Sequence, residues 1–190
     1  MNLKYPLLLG SGSPRRKDLL TNAALHFQTE VLKTDESFPE STPIEKVAEF
    51  IALNKIKSYR EQFSNHTILC ADTIVVFKDK ILGKPSNYTE AINMLKLLSG
   101  NKHLVFTGVA IESPEKNVCF STSTIVEFYH LTDFEIKNYV NTDLAADKAG
   151  AYGIQEWIGL IGIKSIKGDY NNVVGLPISH VYQILKEEFS

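Results

Sequence analysis

"LLLGSGSPRRKDLLTNA", residues 7–23, joins two stretches of different periodicity. Leu7-Leu8-Leu9 is the unbroken apolar run of a short buried strand, ending near Ser11. The run breaks at Gly10-Ser11-Gly12-Ser13, and Pro14, behind a Ser cap, opens a helix to Ala23 with Leu19 and Leu20 turned inward. Strand, glycine-rich turn and helix in succession point to an α/β arrangement. The helix start holds a conflict. Arg15, Arg16 and Lys17 occupy the first turn, where the helix carries partial positive charge and each cation is unfavourable by a few tenths to about 1 kcal/mol. A bound polyanion reverses that sign. Backbone N–H groups point out of the helix start, Ser11 and Ser13 supply hydroxyls, the glycines admit close approach, and guanidinium groups grip phosphate oxygens in pairs. A solvated basic helix face is the plainer alternative.

Further along, Phe27–Leu32 reads as a second strand, followed by the acidic loop Thr34–Pro39. Ile44, Val47, Ala48, Ile51, Ala52, Lys55 and Ile56 recur at helical spacing, predicting a helix from Ile44 to about Tyr59. "TILCADTIVVF" (67–77) is a central strand, and "KDKILGKP" after it supplies a turn, a short return strand and a proline stop. A helix over Tyr88–Leu98 ends at Gly100, and Leu104–Ile111 pairs with Val118–Tyr129. Thr132 with Glu135 forms a capping box for a helix through Val140. A strand at Ile161–Ile166, a turn at Gly168-Asp169 and a helix after Pro177 complete the chain. The order of elements is mixed α/β and leaves open whether the sheet is mainly parallel.

The 190 residues suit one domain, and 44% apolar with 22% charged residues is ordinary for a globular protein. A net charge of −2 gives no global pull toward nucleic acid or an anionic membrane, so any anion site is local. The single Ser-Pro-Arg-Arg element, wedged between strand and helix, is not a DNA-binding tail, and no Walker A loop is present; "GIKS" at 162–165 only looks similar. Cys70 and Cys119 lack metal spacing and read as buried thiols. With no signal-peptide h-region and no apolar stretch of membrane-spanning length, a cytoplasmic location is expected.

Asp72 interrupts the most apolar strand, where an unpaired carboxylate is costly. It therefore faces a polar cleft, pairs with a cation or holds a metal. Lys55, on an otherwise apolar helix face, either snorkels or meets a partner; Lys84 and Glu36 add a cation and an acid on loops. "DKAGAYGIQEW" (147–157) is a close-approach loop in which Gln155 offers an amide to a base or sugar edge, unless the glycines serve packing alone. The five histidines show no ligand spacing, and no GxSxG elbow is present.

Taken in order, "SGSPRR" (11–16), "DES" (35–37), "ADTIV" (71–75), "GKP" (83–85), "LSG" (98–100), "HLVFTG" (103–108), "DKAGAYGIQ" (147–155) and "VVGLP" (173–177) resemble the Maf family of nucleoside triphosphate pyrophosphatases, also called septum formation proteins. Each motif is short; the ordered set is specific and spans nearly the whole chain, 1–190, as one Maf-like domain. The resemblance implies a mixed central sheet flanked by helices, with two lobes and a cleft, as in Maf and inosine-triphosphatase-like folds. It also implies a homodimer and hydrolysis of a nucleoside triphosphate between its α and β phosphates with Mg²⁺ or Mn²⁺. "ADTIV" with "KAGAYGIQ" resembles the dTTP/UTP branch.

Carried over by motif, Asp72 is the proton acceptor or metal-holding carboxylate, and Arg15, Thr73 and Gln155 fall at positions linked to substrate choice. Ser11, Arg16, Glu36, Lys55 and Lys84 line the triphosphate and metal pocket, with Glu36 and Asp72 as metal carboxylates. Two departures stand out: Gly10 in place of the commoner Ala, and Glu156-Trp157 where many relatives have Gly, a bulky charged pair able to re-aim the base pocket. The same reaction on CTP, 7-methyl-GTP or a modified base, and a non-catalytic nucleotide- or DNA-binding regulator of division, are the alternatives.

Overall fold

The computed structural model describes residues 1–190. The opening apolar run is strand β1 (Leu7–Gly10), buried throughout, and Pro14 starts helix α1 (Pro14–Asn22). Strand β2 (Gln28–Glu30) lies parallel to β1, with Leu8 opposite Gln28. Helix α2 (Ile44–Arg60) then leads to β3 (Thr67–Phe77), which pairs with β1 in parallel, Leu9 opposite Leu69. The return strand β4 (Lys80–Leu82) pairs antiparallel with β3. Helix α3 (Tyr88–Leu98) is capped by the Asn87 side chain, which accepts from Glu90 N–H at 2.9 Å. Strands β5 (Lys102–Glu112) and β6 (Asn117–Phe128) form a hairpin closed by Ser113 N–H donating to the Lys116 carbonyl at 2.8 Å. The expected capping box at Thr132 and Glu135 opens α4 (Asp133–Val140).

The C-terminal third differs from its sequence reading. The run Trp157–Gly162 is a short helix, α5, and the strand β7 starts only at Ile163, ending at Lys167. Such an apolar run is ambiguous between strand and helix by pattern alone. Gly159 resolves it: a Cβ there would lie 2.0 Å from the Ile154 carbonyl oxygen, so the helix is packed against the preceding loop backbone. Past the expected turn, Asp169 Oδ1 accepts from Asn171 N–H at 2.8 Å and starts one further turn, α6 (Tyr170–Val174). Helix α7 (Ile178–Glu188) follows Pro177 as expected. The strands join one mixed sheet in the order β2-β1-β3-β5-β6-β7, with β4 beside β3.

The chain divides into two compact units. The first comprises Met1–Thr73, Thr107–Thr122 and Gly175–Ser190. Its sheet alternates strictly. Leu7, Leu9, Leu69, Ala71, Val109 and Ile111 pack with α1 and α7, whereas Leu8, Ile68, Cys70 and Ala110 pack with Ala52, Ile56 and Tyr59 of α2. The α2 packing is tight: a Cβ on Gly108 would fall 2.1 Å from the Glu49 backbone nitrogen. Gly10 belongs to the same face, and a Cβ there would meet Cys70 Sγ at 2.6 Å, which accounts for glycine at that position.

The second unit comprises Ile74–Phe106 and Ser123–Val174, and its core joins α3, α4 and the 145–158 segment. His103 lies inside it, stacked on Phe128, with Nε2 2.7 Å from the Tyr152 hydroxyl. Burial pulls its pKa down from 6.5 to about 4, so it folds neutral while the unfolded chain binds a proton below pH 6.5. Its stabilising contribution is therefore complete above about pH 6.5 and is lost as pH falls toward about 4. Urea unfolding should show a loss of about 1 kcal/mol between pH 7 and pH 5.5 from this group. His103→Gln should flatten that slope. An unaltered slope in the variant would assign the acid sensitivity to other groups.

Candidate active site

Strict alternation in β3 decides where the two neighbours Asp72 and Thr73 go. Asp72 continues the series Ile68, Cys70 and turns toward α2. There Lys55 sits one turn from Ala52 and Tyr59 on the buried stripe of the helix. Its Nζ lies 2.8 Å from Asp72 Oδ1 and 2.7 Å from Glu36 Oε1. The Lys55 and Asp72 side chains are only 10% and 15% exposed, against 57% for Glu36. Lys55 thus does not snorkel to water: it is buried because it bridges two carboxylates.

Thr73 continues the series Leu69, Ala71 toward the α1 face. It meets Arg16 there, which accounts for one of the three cations of the helix start. Arg16 is buried, turned back from the helix, with Nε donating to the Gly175 carbonyl at 2.8 Å, Nη1 to Ser11 Oγ at 3.2 Å and Nη2 to Thr73 Oγ1 at 3.1 Å. Thr73 Oγ1 is also 2.9 Å from Thr107 Oγ1. Burial lowers the Arg16 pKa from its ordinary value, with the Asp72 charge opposing that shift. Of the three cations, Arg16 is buried against these acceptors, Arg15 is half-buried and Lys17 is exposed. Ser13 caps α1 by position only, without a side-chain bond. Its backbone N–H instead donates to Ser11 Oγ at 3.2 Å, so Ser11 accepts twice and keeps its own proton for another acceptor.

The remaining residues belong to the second unit. Lys84 is exposed just after β4, and Gln155 is exposed in the loop before α5. Gly150, at φ +68°, donates its N–H to the Gly83 carbonyl at 3.1 Å, which fastens the Gln155 loop to the residue before Lys84. Its Cβ position would lie 3.0 Å from Val75, so both φ and space call for glycine. Of the expected site residues, Ser11, Arg16, Thr73, Glu36, Lys55 and Asp72 are joined by hydrogen bonds and ion pairs, in two clusters on opposite faces of β3. Thr107, Gly175, Tyr139 and Lys148 join the contacts of expected residues and their neighbours without being among those expected. Thr107 carries a signal in the sequence, a hydroxyl within the apolar strand β5, where the structure buries it fully. Gly175 takes part through its carbonyl, which no side-chain pattern announces.

For a metal, the donor set is two carboxylates drawn to one positive charge, Glu36 and Asp72; no group of three or more His, Cys, Asp and Glu side chains is assembled. Mg²⁺ characteristically takes one or two carboxylates and completes its shell with water and substrate phosphate, so this pair fits such an ion and not a closed structural metal.

Fold and site together define a mixed α/β protein of the architecture found in the Staphylococcus aureus Ham1 protein. That structure matches with a TM-score of 0.51, covering 94% of this chain and 98% of that one, at 12% identity, a likeness of fold alone. Residues 6–188 match the family described as Maf-like protein, and the chain belongs to it. Among its relatives, a Bacillus cereus protein named dTTP/UTP pyrophosphatase is 46% identical over 181 residues, 95% of this chain and 94% of the relative. A Bacteroides fragilis protein of the same name is 43% identical over 186 residues, covering 97% and 96%.

Proposed function

We propose that this protein is a nucleoside triphosphate pyrophosphatase that hydrolyses dTTP and UTP at the α–β phosphate bond, yielding nucleoside monophosphate and pyrophosphate. What carries the reading is the near-full-length likeness to relatives named dTTP/UTP pyrophosphatase. The half-buried Asp72–Lys55–Glu36 cluster gives it a chemical basis.

The physical problem is attack by water on a phosphorus surrounded by negative charge, so the protein's work is positioning and neutralisation. Asp72 accepts the proton of the attacking water. Lys55 holds its Oδ1, which keeps the carboxylate aimed, and the carboxylate retains acceptor capacity for that water. Glu36 and Asp72 would hold Mg²⁺ or Mn²⁺, which supplies charge neutralisation of the phosphates and a more acidic water. The Ser11 hydroxyl proton, Arg15, Lys55 and Lys84 are assigned to triphosphate oxygens. Thr73 and Gln155 set the choice of nucleotide, Gln155 by pairing with the imide edge that uracil and thymine share. Arg16 serves the site by holding Ser11 and Thr73 in place.

No helix is long and apolar enough to cross a membrane. A homodimer in the cytoplasm completes the reading. Its test is pyrophosphate release with Mg²⁺ from dTTP, UTP, CTP, 7-methyl-GTP and purine triphosphates. Activity confined to dTTP and UTP is the expected result. Hydrolysis of another base alone would retain the reaction and reassign the substrate, and a folded protein that binds triphosphates without releasing pyrophosphate would overturn the enzymatic reading.

A further inference from the structure

Glu156 was the residue most at odds with an open base pocket, because a charged side chain directly after Gln155 threatens to fill it. In the structure its carboxylate is held by Lys148 and Tyr139. Its side chain is 15% exposed, with Oε1 2.9 Å from Lys148 Nζ and Oε2 accepting from the Tyr139 hydroxyl. Lys148 is itself buried, its side chain 6% exposed, and it also binds Asp147 at 2.6 Å and the Leu144 carbonyl. The Tyr139 hydroxyl accepts in turn from the Gly153 backbone N–H at 3.1 Å. A Cβ on Gly153 would lie 2.6 Å from Glu156 Cδ, so glycine at 153 is what lets the carboxylate fold back over the loop. Glu156 N–H closes the turn on the Gly153 carbonyl at 3.1 Å.

Gln155 therefore sits on a loop tied down at both ends: by Gly150 to Gly83 on one side and by Gly153 and Glu156 to Tyr139 and Lys148 on the other. Burial raises the Tyr139 pKa above its ordinary value, as does its bond to Glu156, so the phenol stays protonated and keeps donating. A buried lysine, a buried carboxylate and a tyrosine hydroxyl are expensive to desolvate, and they stand beside an apolar core that already packs Ala151, Tyr152, Ile154 and Ile158 of the same segment. The network contributes direction: an amide that discriminates between bases must be held within a few tenths of an ångström.

We propose that Tyr139, Glu156 and Lys148 form a clamp that positions Gln155, making Glu156 and Tyr139 specificity-determining residues although neither touches the nucleotide. This rests on the reading of Gln155 as the base-recognising residue. The clamp acts on binding orientation, so its loss appears in KM and in discrimination between bases more than in kcat.

The test compares kcat and KM for UTP and CTP in the wild type, Tyr139→Phe, Glu156→Ala, Glu156→Gln and Gln155→Ala, with urea midpoints measured alongside. Tyr139→Phe preserves the ring packing and removes only the hydroxyl, so it remains informative if Glu156→Ala, which leaves Lys148 with less compensation, folds poorly. Both should raise KM for UTP and reduce the UTP-over-CTP preference by about tenfold, the loss of one well-placed hydrogen bond. Glu156→Gln, which still offers an acceptor, should recover part of the preference. Gln155→Ala must show the same loss. If it does while folded Tyr139→Phe and Glu156→Ala keep full discrimination, the clamp is refuted and the base-reading role stands. If Gln155→Ala keeps full discrimination, the base-reading role fails and the clamp proposal fails with it.

Discussion

Asp72→Asn is expected to lower pyrophosphate release by about 10²–10⁴-fold, the range that a general base contributes, while the protein remains folded. The substitution removes charge and keeps shape. An asparagine amide oxygen still accepts from Lys55 Nζ, and Glu36 remains 2.7 Å away to compensate the ammonium, so Lys55 is not left alone in a largely buried position. A modest loss of unfolding free energy in urea, about 1 kcal/mol, is therefore consistent with the pair's burial. What the asparagine cannot do is take a proton from water. Turnover should collapse for every accepted nucleotide alike, since Asp72 acts on the phosphorus chemistry and not on the base. Full turnover in a folded Asp72→Asn protein would remove this residue from the mechanism.

Arg16→Ala should be destabilising by about 3–4 kcal/mol, a value usual for breaking a buried, hydrogen-bonded charged group. Three acceptors each lose a donor at once: the Gly175 carbonyl, Ser11 Oγ and Thr73 Oγ1. Removal of the buried stem also leaves a void. Arg16→Lys should recover only a fraction, because one ammonium cannot reach three acceptors arranged around a planar fork. The measurement is the urea midpoint of both variants beside their activity. A role as phosphate ligand alone makes a different demand: weakened substrate binding at unchanged stability. That outcome would contradict the internal role the hydrogen bonds describe.

Arg15 and Arg16 show how far local reasoning reaches. Their presence in the first turn of a helix marked the place as electrostatically unusual. The reading of a shared phosphate role followed from residue type, and residue type does not distinguish a side chain that reaches outward from one that folds back. The partner of Arg16 Nε lies 159 residues away, on the carbonyl of Gly175. Similarly, Asp72 announced itself as a costly carboxylate in an apolar strand, and Lys55 as a cation in an apolar helix face. That each is the other's compensation depends on α2 packing against the even-numbered face of β3, with Gly108 admitting the helix backbone. The expected strand Ile161–Ile166 loses its first two residues to the helix Trp157–Gly162 for a related reason: a short apolar run carries no period, and only the fit of Gly159 against Ile154 selects the helix.

The amino-acid order by itself determined the elements whose signals are local: the apolar run and proline start at 7–14, the 17-residue amphipathic helix α2, the uninterrupted strand 67–77, the Thr132 capping box, and the alternation that sends Asp72 and Thr73 to opposite faces. These follow from backbone sterics and from side chains within a few residues of one another. The tertiary structure alone decided where each buried charge finds its partners: Arg16 at the Gly175 carbonyl, Lys55 at Asp72 and Glu36, and Glu156 at Lys148 and Tyr139. The physical reason is that burying a charge is unfavourable until its partner arrives. The partner's position is set by strand register and helix packing across the chain, which no local stretch of residues encodes.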